Sequence, residues 1–112
     1  MKKIEAIIRP EKLDVVRKAL DSSGYPGIMI TEIEGHGKQK GVVQQWRGET
    51  YRVELLPKVK IEVIIPDKDL DRIIKIIIEN SRTGAVGDGK IFVSDIKEAI
   101  RIRTGEKGEE AI

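Results

Sequence analysis

The chain is 112 residues long, contains no cysteine, and sets 21 Lys and Arg against 19 Asp and Glu for a net charge of +2. That length predicts one small domain whose modest core gains from oligomerisation, and the lack of thiols excludes a disulfide framework, a thiol nucleophile and a cysteine-ligated metal, which suits the cytoplasm. Interspersed charges offer no basic face to nucleic acid, and no stretch reads as a signal peptide or a membrane span.

Ile4-Glu5-Ala6-Ile7-Ile8 predicts a first strand buried on both faces or nearly so. Pro10 stands where a helix can start, because its missing N–H is not needed there. Leu13, Val16, Ala19 and Leu20 follow at helical spacing, and Gly24 ends the segment. A second strand is expected over residues 28–33, with Ile28, Ile30 and Glu32 on one side. Residues 35–54 hold no hydrophobic period. They are polar and punctuated by glycine, and so long a connection in a small domain is usually functional or disordered.

Val59, Ile61, Val63 and Ile65 alternate with Lys58, Lys60 and Glu62, a strand that Pro66 stops. Asp67 is the expected N-cap of a helix with the apolar stripe Leu70, Ile73, Ile74, Ile77 and Ile78. A second glycine-rich run, Thr83-Gly84-Ala85-Val86-Gly87-Asp88-Gly89-Lys90, leads into a strand at Ile91-Phe92-Val93. Residues 99–103 are expected to form a last short strand before a charged tail. The order β-α-β, long loop, β-α-β predicts an α+β, ferredoxin-like βαββαβ sandwich, with one antiparallel sheet and both helices on one face. Ile7, Ile30 and Ile64 should then point to the opposite face and be buried against other subunits. Such a fold alone carries no chemistry.

Residues 84–90 spell G-x-x-x-x-G-K, but Ile91 stands where a P-loop has Ser or Thr, and the run joins a helix to a strand. A P-loop hydrolase is therefore rejected. Backbone N–H groups among successive glycines and Lys90 can still hold an anion. A tight turn needing positive φ at Gly87 and Gly89 explains the pattern equally well. Gly35-His36-Gly37-Lys38-Gln39-Lys40-Gly41 lacks the spacing of a dinucleotide fingerprint and by itself reads better as a solvated turn. Arg101-Ile102-Arg103 puts two guanidiniums on one face of an extended segment, suited to phosphate oxygens or to blunting an edge strand. His36 is the one histidine and finds no partner for a metal or acid–base pair, and no activated nucleophile is recognisable. Binding is favoured over catalysis.

Longer runs carry more weight than any short motif. Residues 1–10 with Lys12-Leu13, residues 31–41, Leu56-Pro57-Lys58-Val59-Lys60-Ile61-Glu62-Val63, residues 83–93 and residues 100–106 together resemble the PII signal-transduction proteins, in that family's order and spacing. The resemblance spans essentially the whole chain. It implies a single domain over residues 1–112 and a homotrimer with nucleotide sites between subunits. A long regulatory T-loop would lie at about 37–55, a nucleotide loop at about 82–90 and a C-terminal loop at about 100–112.

For an ATP or ADP ligand, the resemblance places Gly35, Gly37, Lys38 and Gln39, with Gly87, Asp88, Gly89 and Lys90, around the phosphates and ribose. Met29 and Ile64 match adenine-side positions, and Glu62, Arg101 and Arg103 match positions supplied by the neighbouring subunit. Gln39 matches the amide ligand of Mg²⁺, an ion that demands near-octahedral oxygen ligation. Lys58 matches the partner of the distal carboxylate of 2-oxoglutarate, with Gln39, Lys40 and Gly41 around its other end. Tyr51 occupies the position that some members uridylylate. The implied function is control of nitrogen assimilation through an Amt-type ammonium channel, glutamine synthetase or related proteins. A trimer answering another effector and a slow ATPase are the alternatives.

Some positions depart from the family's pattern. Lys38 replaces a common Arg, turning a forked phosphate contact into a point charge. Met29 replaces Thr and removes a hydroxyl; His36 and Trp46 stand for Phe and Tyr. Abundant charge and isoleucine also resemble proteins of hot-growing organisms.

Overall fold

A computed structural model describes residues 1–35, 42–46, 49–53 and 56–112 of the chain. Six strands and two α-helices follow in the order β1 (Lys2–Ile8), α1 (Leu13–Ser22), β2 (Met29–Gly35), β3 (Val42–Trp46), β4 (Glu49–Val53), β5 (Leu56–Ile65), α2 (Leu70–Ser81) and β6 (Lys90–Asp95). Four of the strands make one antiparallel sheet in the order β2-β5-β1-β6. Each β-α-β unit therefore straddles a strand of the other, which is the ferredoxin-like arrangement the pattern predicts.

The register shows why these residues form this sheet. Ile4, Ala6 and Ile8 lie opposite Val63, Ile61 and Val59, so side chains of one parity collect on one face. Val16 and Leu20 of α1 and Ile73 and Ile77 of α2 close over that face, all with no exposed surface. Each fully buried isoleucine or leucine contributes about 1.5–3 kcal/mol over leaving it in water. The other parity, with Lys3, Glu5, Lys60 and Glu62, makes an open face. Its charges pair as Lys3–Glu5 at 2.9 Å, Lys60–Glu62 at 3.1 Å and Lys3–Glu62 at 3.7 Å.

Strand β1 is thus covered by the helices on one face and not on both, because alternate residues face opposite sides of a pleated strand. Ile7 and Ile64 do point to the open face, opposite Lys60 and Lys3. Ile30 does not. It pairs with the core residue Ile61 and shares its side, while Met29, Thr31 and Ile33 take the open face.

Proline sets the other boundaries. Pro66 ends β5, and the chain passes through the 3-10 turn Asp67–Asp69 into α2. Asp67 is not the cap of that helix. Its carboxylate pairs with the N-terminal ammonium at 2.9 Å, and the residue before α2 is Asp69, which accepts a hydrogen bond from the Tyr25 hydroxyl. That contact ties the exit of α1 to the entry of α2. Burial and the Asp69 bond push the Tyr25 hydroxyl up to about 12.

Within the region read as lacking a period, β3 and β4 form a separate two-stranded antiparallel ribbon, with Val42 opposite Val53 and Trp46 opposite Glu49. Residues 99–103 form no strand. Ile100 makes a single bridge to Lys107, and the Arg101 and Gly105 N–H groups close a turn on Glu106 and Arg101 carbonyls. Arg101 and Arg103 therefore do not share the face of an extended segment.

Candidate phosphate loop and its supports

The glycine-rich run 83–90 connects the end of α2 to the start of β6. Gly84, Gly87 and Gly89 have φ of 90°, 101° and 104°, a region L side chains avoid. Gly89 is restricted twice, because a Cβ there would lie 1.7 Å from the Ile7 carbonyl oxygen. The loop is consequently pressed against the end of β1 with backbone touching backbone.

Two cations from the sheet hold the loop from outside. Arg9, at the exit of β1, donates from Nε to Asp88 Oδ1 at 3.0 Å and from Nη2 to the Val86 carbonyl at 2.9 Å. Lys58, on the open-face row of β5, donates from Nζ to the Gly87 carbonyl at 2.6 Å. Burial first, and then the neighbouring Arg9 charge, hold the Lys58 ammonium below its ordinary pKa. The Arg9 charge is itself paired with Asp88, so Lys58 is the cation there that an added anion would meet.

Asp88 faces inward. Its carboxylate accepts from the Thr83 N–H at 2.9 Å, the Gly84 N–H at 2.8 Å and the Thr83 hydroxyl, besides Arg9. The Thr83 hydroxyl, then the Thr83 and Gly84 N–H groups and Arg9, hold this carboxyl far below the usual carboxylate range against the opposing effect of burial. Beside the loop lies an open cleft of about 280 Å³, its lining including Ile7, Ile8, Ser81, Arg82, Lys90 and Ile91.

The structure thus gathers Lys58, Gly87, Asp88 and Gly89 at one end of the sheet. Met29 and Glu62 form a cross-strand pair on the open face, with Ile64 two residues along the same row. Gly35 ends β2 opposite Leu56. Gly37, Lys38, Gln39, Lys40 and Gly41 lie outside the described residues, and of Tyr51 only its place in β4 is described. Arg101 is engaged in its own segment, with Nη1 on Glu106 Oε1 and Nη2 on the Glu110 carbonyl, both at 2.9 Å. Arg103 is exposed. Arg9 and Thr83 escaped the sequence reading. The Thr83-Gly84…Asp88 spacing was the available sign, since a hydroxyl and a carboxylate flanking glycines often close a turn on backbone N–H groups.

A ferredoxin-like sheet with a glycine loop braced at its end defines a small α+β domain of the ferredoxin-like class. The family described as nitrogen regulatory protein P-II matches residues 1–106, and the chain belongs to it. Similar proteins include "Nitrogen regulatory protein P-II" of Bradyrhizobium diazoefficiens, 57% identical over 112 residues, and "Nitrogen regulatory protein P-II 1" of Escherichia coli, 53% identical over 112 residues; each comparison covers 100% of both chains. The archaeal "Nitrogen regulatory protein P-II 2" of Methanothermobacter thermautotrophicus is 49% identical, over 100% of this chain and 97% of the relative. The chain is accordingly a nitrogen-regulatory signalling protein, a regulator by family. No helix among the described residues is long and apolar enough to cross a membrane.

Proposed function

We propose that the chain is a non-catalytic, cytoplasmic homotrimer that senses ATP or ADP together with 2-oxoglutarate. It would report them through the loop at about 37–55 to an Amt-type ammonium channel, glutamine synthetase or another nitrogen-assimilation protein. The observation that carries this reading is the 2.6 Å hydrogen bond from Lys58 to the Gly87 carbonyl. It sets the cation expected to pair with a dicarboxylate one bond away from the loop expected to hold phosphates.

The donor set fits anionic ligands. Positive-φ glycines leave the loop backbone without side-chain cover, and Lys58 and Lys90 supply positive charge. Met29 and Ile64 on the open face, with Glu62, Arg101 and Arg103 from a neighbouring copy, would complete the nucleotide site. Gln39 would hold Mg²⁺, which neutralises phosphate charge when bound, with Lys40 and Gly41 near the 2-oxoglutarate. Lys58 couples the two ligands: pairing with a carboxylate draws its ammonium away from Gly87 and leaves that carbonyl to reorient. The response of the long loop is bounded by the difference in binding free energy between ligand states.

A slow ATPase is less well supported. Asp88, the acid nearest the loop, has its carboxylate held well below the range in which a general base works at neutral pH.

Isothermal calorimetry tests the reading. ATP, Mg²⁺ and 2-oxoglutarate should bind together, and Lys58→Ala or Gln39→Ala should lose 2-oxoglutarate while keeping ATP. Unchanged 2-oxoglutarate affinity in both variants would sink the proposed site.

A further inference from the structure

Resting on the nucleotide reading above, a more specific role emerges for two residues of the loop and its support. We infer that Arg9 and Asp88 are positioning residues, whose ion pair sets the fraction of molecules with the 83–90 loop shaped to receive phosphate.

The first ground is valence. A carboxylate offers about four lone-pair positions. Asp88 meets four donors among the described residues: the Thr83 N–H, the Thr83 hydroxyl, the Gly84 N–H and Arg9 Nε. Little acceptor capacity remains for a ribose hydroxyl. The orientation also turns a negative charge inward, away from where phosphates would sit, and neutralises it against a guanidinium.

The second ground is geometry. Arg9 grips the loop at two points, Asp88 and the Val86 carbonyl, and so fixes residues 86–88 relative to the end of β1. Its own backbone is anchored, because Pro10 follows and confines residue 9 to the extended region, observed at φ −64° and ψ 139°. Both side chains are largely withdrawn from water, Arg9 17% and Asp88 24% exposed, so the pair is less screened than a surface bridge.

The third ground is entropy. Gly84 and Gly87 are unusually free residues, and a loop built on them has many competing shapes. Without an external strut the receptive shape becomes a minority. Apparent affinity then falls in proportion to its population. Thr83 contributes the other side of the clamp.

The test is a double-mutant cycle on the full chain, with Arg9→Met, Asp88→Asn and the pair, measured by calorimetry with ATP and Mg²⁺. Each single variant should bind about tenfold more weakly, and the double variant should lose clearly less than the product of the two losses, since both break the same ion pair while each partner has other bonds of its own. In the ligand-free proteins, amide hydrogen exchange at Thr83 and Gly84 should speed up while core amides of β1 and β5 stay protected. A merely structural role would not separate those two sets of amides. Should Asp88→Asn fail to fold, Thr83→Val removes one donor and should weaken ATP about threefold, with the same local exchange. Single variants within twofold of the wild type, or losses that multiply in the double variant as for two independent ligand contacts, overturn the inference. A wild-type protein that binds no ATP overturns the nucleotide reading, and this role with it.

Discussion

The loop 83–90 and the turn around Arg101 were both expected to meet phosphate, yet the chain builds them by opposite means. The glycine loop is held by side chains from distant strands, Arg9 at 79 residues' separation from Asp88 and Lys58 at 29 from Gly87. The C-terminal turn is held by itself. Among the described residues its Arg101 side-chain bonds reach Glu106 and Glu110, Thr104 adds a bond to Glu106, and Ile102 is fully exposed. A loop braced against the core keeps one shape before any ligand arrives, which lowers the entropy lost on binding. A locally closed turn keeps its own shape while leaving Arg103 and Ile102 outward.

Breaking the braced region should have the largest effect. Gly89→Ala puts a Cβ against the Ile7 carbonyl at a φ of 104°, and should lower stability by about 3 kcal/mol in denaturant unfolding. ATP binding should fall below detection in calorimetry. Wild-type values for both would mean that β1 does not pin the loop.

Acid should act on the same region more gradually. The Asp88 carboxyl is depressed in the folded state, so its contribution to stability is present above the unfolded carboxylate range, about pH 4. That contribution is lost as pH falls toward the lower folded value. The acid limb of the stability curve should therefore be shallower in Asp88→Asn than in the wild type. An identical limb in both proteins would show that the carboxylate is not held by Thr83 and Arg9.

The locally closed turn should respond least. Glu106→Gln removes the charge partner of Arg101 at a site where both side chains are more than a third exposed, 36% and 39%. Stability should change by no more than about 0.5 kcal/mol. A larger loss in urea unfolding would make the turn a supporting part of the fold and erase the contrast with the loop.

The braced and local regions also differ in how far their residues could be read beforehand. Strands β1 and β5 and the stripes of α1 and α2 were legible because alternation and helical spacing are local properties. Gly87 and Gly89 were legible as positive-φ turn residues by their pattern, and Lys58 stood out by resemblance. Arg9 was not, since nothing near position 9 signals a partner at position 88. Asp88 matched a ligand position by resemblance, and its carboxylate's closure of the loop on Thr83 and Gly84 was not read. The ribbon of β3 and β4 was missed because a two-stranded hairpin does not need a buried face, and so leaves no apolar period.

Taken alone, the sequence determined where the four strands of the main sheet and the two α-helices run, that Pro66 divides β5 from α2, and which family the chain resembles. Only the tertiary structure decided the register between those strands. That choice puts Ile30 on the helix side opposite Ile61 and brings the exit of β1 to the glycine loop. Period-two alternation states that a strand has two unlike faces, but inter-strand hydrogen bonds fix which face is covered and which distant charge lies beside it.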